Sequence, residues 1–153
     1  MGPPAMTLTL PPPGGTVYVD TQVLVYSVER HPVYAPLLRP LWQAAQARTH
    51  PVVSTELALM EVLVLPLRNG DAVLVSQYER ALLGTELRLI PLDQAVLREA
   101  ARLRATLPPL RTPDAIHAAT ARLVGSSLFL SNDTGFRRVP GLNLILLDDL
   151  RGP

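Results

Sequence analysis

Short β-branched runs alternate with helix-patterned stretches along almost the whole chain, and this alternation constrains the fold more than any other feature. Val17 to Val19 is a β-branched and aromatic run ending at Asp20, the form of a buried strand that stops where polar chemistry begins. From Tyr34 to Ala47, the residues Leu37, Leu38, Leu41, Trp42 and Ala45 trace one helix face despite Pro36 and Pro40. Pro51 to Ser54 reads as a second strand, and ELALMEVLVLPL after Thr55 as a helix that Pro66 should stop. Gly70 to Leu83 predicts another helix and Leu87 to Ile90 a strand. Asp93 then caps a run with Val96, Ala100, Leu103 and Leu107 spaced four, three and four apart. Thr112-Pro113 opens DAIHAATARLV as a helix with Thr112 as its N-cap and Gly125 closing it, and SLFL and Leu142 to Leu147 predict the last strands. Such alternation implies right-handed crossovers. The expected fold is therefore α/β in three layers, a central, mainly parallel sheet covered by helices on both faces, with any site at the carboxyl ends of the strands.

The chain has 153 residues, 48% of them hydrophobic, which suits one domain. Its first sixteen residues, MGPPAMTLTLPPPGGT, hold five Pro and three Gly, so residues 1–16 are expected to form a disordered leader and residues 17–150 the domain. The leader lacks the basic start and apolar stretch of a signal peptide. No later apolar run approaches the roughly 20 residues that span a bilayer.

Composition narrows the chemistry by subtraction. Fourteen basic residues balance thirteen acidic ones at a net charge of +1, so no global field steers a polyanion and any nucleic-acid contact must be local. All fourteen are Arg. The absence of Lys disfavours P-loop NTPases, Schiff-base enzymes and receiver domains. Cysteine is also absent, which excludes thiol nucleophiles, disulfides and thiolate zinc sites and fits a reducing cytoplasm. What remains is mostly carboxylate chemistry.

Four acids stand out. Asp20 follows the first strand and Asp133 follows SLFL within SND, so both should emerge at the carboxyl edge of the sheet, although each alone also fits a turn or N-cap. Asp114 lies in a helix's first turn, where a carboxylate faces the positive end of the dipole. Glu61 is the most informative, because helical spacing surrounds it with Leu57, Val64 and Leu65. A charge there needs a cation or a hydrogen-bonded neighbour, and no Arg lies within one turn. A divalent ion shared with the other acids would meet that need, and oxygen-only ligands suit Mg²⁺ or Mn²⁺.

Four segments carry a family resemblance: VYVDTQVLVY, STELALMEVLVLPL, TPDAIHAATA and LSNDTGF. Together they resemble the PIN domain, in particular the small VapC-type ribonuclease toxins of prokaryotic toxin-antitoxin pairs, over roughly Val17 to Asp148. The resemblance implies that Asp20, Glu61, Asp114 and Asp133 form an acidic site for one or two metal ions, with Thr21 and Ser131 as the hydroxyls beside them. Gln22 stands where Asn or Ser is more usual, and Gly135 replaces an acid that often precedes the Phe of the last motif. The second departure places the weight on Asp133 alone.

The implied chemistry is metal-assisted hydrolysis of an RNA phosphodiester, with Asp20 or Asp114 as the acid best placed to accept a proton. Arg111, Arg137 and Arg138 are candidates for phosphate contacts, with a solvated surface role as the alternative. His117, one turn after Asp114, is close enough to support the acids from behind, but on an Ala-rich face it reads as hydrogen-bonded packing and is left outside the site. Truncating Glu61 to Ala is expected to leave the fold intact or more stable. The resemblance also implies an antitoxin partner and a homodimer, and the apolar segment Val62 to Leu67 with the helix after Gly70 offers surface for one or the other. Two other readings compete: a PIN-like module that binds without cutting, which Gly135 leaves open, and a phosphatase or receiver using Asp20 as a nucleophile. The last suffers from the missing Lys and from Gln22 where a second Asp would be needed.

Overall fold

Strands β1 (Val17–Val19), β2 (Val52–Thr55), β3 (Arg88–Ile90), β4 (Leu128–Ser131) and β5 (Leu144–Leu146) form one sheet in the order β3-β2-β1-β4-β5. Every pairing is parallel, with Val17 opposite both Val52 and Leu128. The structure is a computed structural model that describes residues 7–151. The three central strands β1, β2 and β4 are buried along their whole length, whereas the edge strands β3 and β5 are partly exposed. In β1, Val17 and Val19 enter one hydrophobic cluster and Tyr18 the other.

The two clusters define the layers. Helices α1 (Thr21–Val28), α2 (Tyr34–Gln46), α3 (Leu57–Arg68) and α4 (Ala72–Leu83) pack on the face of Val17 and Val19. Helices α5 (Gln94–Thr106) and α6 (Thr112–Leu123) cover the face of Tyr18 and Phe129. The chain therefore moves outward from β1 to β3 with its helices on one side, then crosses to β4 with its helices on the other, as right-handed crossovers demand. The direction of winding reverses between β1 and β4. In open α/β sheets the crevice outside the carboxyl ends at such a point is the usual ligand site. In α6 a run of Ala, with Ala115, Ala118, Ala119 and Ala121 all buried, lets the helix approach the sheet closely.

Several elements differ from the expectation. Helix α1 was not anticipated, since TQVLVYSV is rich in β-branched residues that favour strands. Asp20 overrides that preference by accepting a hydrogen bond from Val23 N at 3.2 Å as the N-cap. Pro66 does not stop α3, which runs on to Arg68. A proline one turn from a helix end forfeits a single backbone hydrogen bond, and the Pro66 ring is buried, while Asn69 N still reaches Leu65 O at 3.0 Å. The N-cap of α6 is Arg111 rather than Thr112, because the Thr112 hydroxyl accepts instead from Arg104 Nη1 at 2.9 Å.

The leader also departs from expectation over its described part. Leu8 is only 4% exposed and joins the main cluster. His50 Nε2 lies 2.7 Å from Pro11 O, and Gly14 N donates to Thr49 O at 2.8 Å. Proline here favours an extended path that docks along the domain. Residues 1–6 of the expected leader lie outside the described residues.

Candidate acidic site at the sheet switch point

Asp20 leaves the end of β1 and is 5% exposed. One carboxylate oxygen, Oδ1, accepts from Val23 N, and the other, Oδ2, from the Ser131 hydroxyl at the end of β4. Ser131 Oγ in turn accepts from Asp133 N at 2.9 Å, and Asp133 Oδ1 accepts from Gly135 N at 2.8 Å. The two strands that flank the switch point are thus joined by one hydrogen-bonded chain running from Asp20 to Asp133. Burial pushes the Asp20 carboxyl above its ordinary range, and the negative charge of Asp133 adds to the push. The nearby imidazole of His117 and the bonds from Ser131 and Val23 oppose it.

Asp114, in the first turn of α6, approaches the same edge from the opposite layer. Its carboxyl is also raised, by burial first and then by Asp133. Arg111 Nε stands 3.5 Å from Asp114 Oδ2, a long and weak pair. Asp133 therefore acts electrostatically on both Asp20 and Asp114. The other predicted cations separate. Arg111 stays beside the acids, Arg137 leans toward Asp149 at 3.8 Å on the exposed surface, and Arg138 is exposed with no ion pair among the described residues.

Glu61 is not the isolated carboxylate that its helical neighbours suggest. Thr21 Oγ1 donates to its Oε1 at 2.7 Å, and His117 Nε2 lies 3.0 Å from the same oxygen. Burial would raise this carboxyl, but the bonds from His117 and Thr21 outweigh it and hold the group below its ordinary value. The neighbour that the sequence demands is therefore His117, which was assigned to packing. It is 3% exposed, and its Nδ1 meets the Tyr18 hydroxyl at 2.7 Å. The available signal was its place one helical turn after Asp114, on the same side of α6.

The donors are carboxylates and hydroxyls, and two of the acids are destabilised by a third. That chemistry fits a hard divalent cation, which would relieve the repulsion. As placed, no three His, Asp or Glu side chains among the described residues stand close enough to share one ion. A shared ion would require these carboxylates to stand closer together than they do.

The PIN domain family model matches residues 17–142. The chain belongs to the PIN domain family. Solved structures agree on the fold. This PIN domain superposes on VapBC2 from Rickettsia felis bound to a promoter DNA fragment with a TM-score of 0.65 and 19% identity, covering 86% of this chain and 98% of that one. A toxin-antitoxin complex from Klebsiella pneumoniae gives 0.64 at 21% identity, covering 86% and 97%. FitAcB from Neisseria gonorrhoeae gives 0.60 at 17% identity, covering 88% and 99%. No curated protein matches the sequence. PIN domains are in general nucleases, and the matched span contains all four acids. Among the described residues no helix is long and apolar enough to cross a membrane.

Proposed function

We propose that this PIN domain is a divalent-metal-dependent endoribonuclease and the toxin of a toxin-antitoxin pair, acting in the cytoplasm. The observation that carries the reading is the hydrogen-bonded chain Asp20–Ser131–Asp133 at the switch point, with Asp114 facing it from α6. Asp20, Glu61, Asp114 and Asp133 would hold one or two Mg²⁺ or Mn²⁺ ions, and such ions supply Lewis-acid activation of water and neutralise charge on a phosphodiester. The protein's own part is positioning. Ser131 and Val23 N fix the Asp20 carboxylate, Thr21 fixes Glu61, and Arg111 stands where it can meet a phosphate beside Asp114. Arg137 and Arg138, further out, would contact the flanking backbone.

An antitoxin partner is supported by the toxin-antitoxin complexes among the structural neighbours. Exposed Met60, Val64, Leu65 and Leu67 on α3, with Val73 and Leu83 on α4, offer apolar area for that partner or for a homodimer.

The test is cleavage of a mixed pool of structured RNAs by purified protein with Mg²⁺, with Mn²⁺ and with chelator, beside Asp20→Asn. Metal-dependent cutting that the substitution abolishes supports the nuclease. A second reading, a PIN-like module that binds RNA or protein without cutting, is favoured by Gly135 and by the open arrangement of the acids. It would prevail if folded, partner-free protein cut nothing under any metal.

A further inference from the structure

His117 bridges from α6 to the opposite helical layer at the acidic edge, and both of its nitrogens are engaged. Nδ1 faces the Tyr18 hydroxyl at 2.7 Å, while Nε2 faces Thr21 Oγ1 and Glu61 Oε1 at 3.0 Å each. The hydrogens follow from counting donors. The Thr21 hydroxyl spends its hydrogen on Glu61 Oε1, so toward His117 it can only accept, and an ionised carboxylate accepts only. Nε2 must therefore carry a hydrogen. In a neutral imidazole Nδ1 is then an acceptor, and the donor it requires is the Tyr18 hydroxyl.

The phenol suits that task. Tyr18 lies on β1 with no exposed surface, its ring stacked on Phe129 at 4.9 Å between centroids and edge-on to the His117 ring at 5.8 Å. It cannot turn away without breaking the core, and burial keeps it protonated. At the far end both bonds fall on Glu61 Oε1, and Oε2 takes none among the described residues. One oxygen is pinned and the other is left available.

We propose that Tyr18, acting through His117, holds the Glu61 carboxylate in a single orientation, making Tyr18 and His117 positioning residues of the acidic site. The relay carries order from the rigid sheet to a side chain on a helix that leaves much of its surface exposed. Groups that orient a metal-binding carboxylate or imidazole in this way typically change metal affinity or activity by about 10- to 100-fold when removed. The proposal rests on the nuclease reading only for the consequence of that orientation.

The test has a spectroscopic arm and a functional arm. In ¹⁵N-labelled metal-free protein, at a pH where the His117 ring shows the neutral form, it is expected to show one tautomer, with Nε2 protonated and Nδ1 bare, and Tyr18→Phe is expected to mix the two tautomers. A protonated Nδ1 in the wild type, or a Tyr18→Phe spectrum identical to wild type, overturns the relay. In the functional arm, Mn²⁺ affinity and RNA cleavage are compared for His117→Gln, whose amide can still donate to Glu61, and His117→Leu, with folding checked by circular dichroism. Gln should stay within about threefold of wild type, and Leu should lose about tenfold or more. Equal behaviour of folded Gln and Leu variants overturns the positioning role. Wild-type protein that binds no Mn²⁺ and cuts no RNA, yet shows the expected tautomers, removes the nuclease reading and leaves the relay standing as the lock on Glu61.

Discussion

The Ser131 hydroxyl donates to the Asp20 carboxylate across 111 residues of sequence, tying the end of β4 to the end of β1 where the sheet reverses its winding. Because Ser131 also accepts from Asp133 N, a single hydroxyl sets the spacing of two acids. Removing it should disturb the site more than the fold. The stability of that site depends on pH in two opposite directions.

Asp20 is raised by burial, so its contribution to stability is fully present below the unfolded carboxylate value of about 3.9 and is lost as pH rises through its folded value. Asp20→Asn keeps the shape and removes the charge. The variant should melt at a higher temperature than wild type at pH 7 in chelator, and the difference should shrink toward pH 4. Thermal melts at the two pH values decide it, and a variant less stable at pH 7 contradicts the account.

Glu61 runs the other way. Held below its ordinary value by His117 and Thr21, it stabilises above the unfolded value and loses that contribution as pH falls through the folded one. Glu61→Ala leaves buried His117 without its carboxylate, at a cost of about 1–3 kcal/mol. This reverses the expectation from sequence alone, in which truncation was neutral or stabilising. Urea unfolding at pH 7 measures the sign directly.

A divalent ion should stabilise the wild type by relieving the repulsion around Asp133. At a hundred times its dissociation constant the gain is about 2.7 kcal/mol. Differential scanning fluorimetry with Mn²⁺ should show a rise that Asp133→Asn reduces and chelator reverses. A melting temperature indifferent to Mn²⁺ at millimolar concentration would count against the metal site.

Leu8 belongs to the core despite its proline-rich setting. Leu8→Ala should destabilise by about 2–5 kcal/mol, a penalty that a disordered leader could not produce. The midpoint of chemical denaturation is the measurement.

The alternation of strands and helices was legible because each strand is a short apolar run bounded by polar or breaking residues, and it placed Asp20 and Asp133 on one edge correctly. Helix α1 was not, because its β-branched residues speak for a strand and only the cap at Asp20 speaks against it. The bonds of His117 were not legible because its partners Tyr18 and Glu61 lie 99 and 56 residues away in sequence. By sequence alone Gly135 stands for a lost acid. In the fold, a Cβ there would stand 3.0 Å from Asp133 Oδ1, so the glycine also gives Asp133 room to accept the Gly135 N–H.

The order of the strands has a consequence for how the protein is made. β1 emerges from the ribosome first, yet it occupies the middle of the sheet and waits for β4, which follows more than a hundred residues later. The chain cannot close its sheet around Asp20 until residue 131 has cleared the exit tunnel, and synthesis at about 5–20 residues per second delays that by several seconds. A nascent copy therefore carries Asp20 and Asp133 apart until β4 has been made, and the edge that joins them forms only after that.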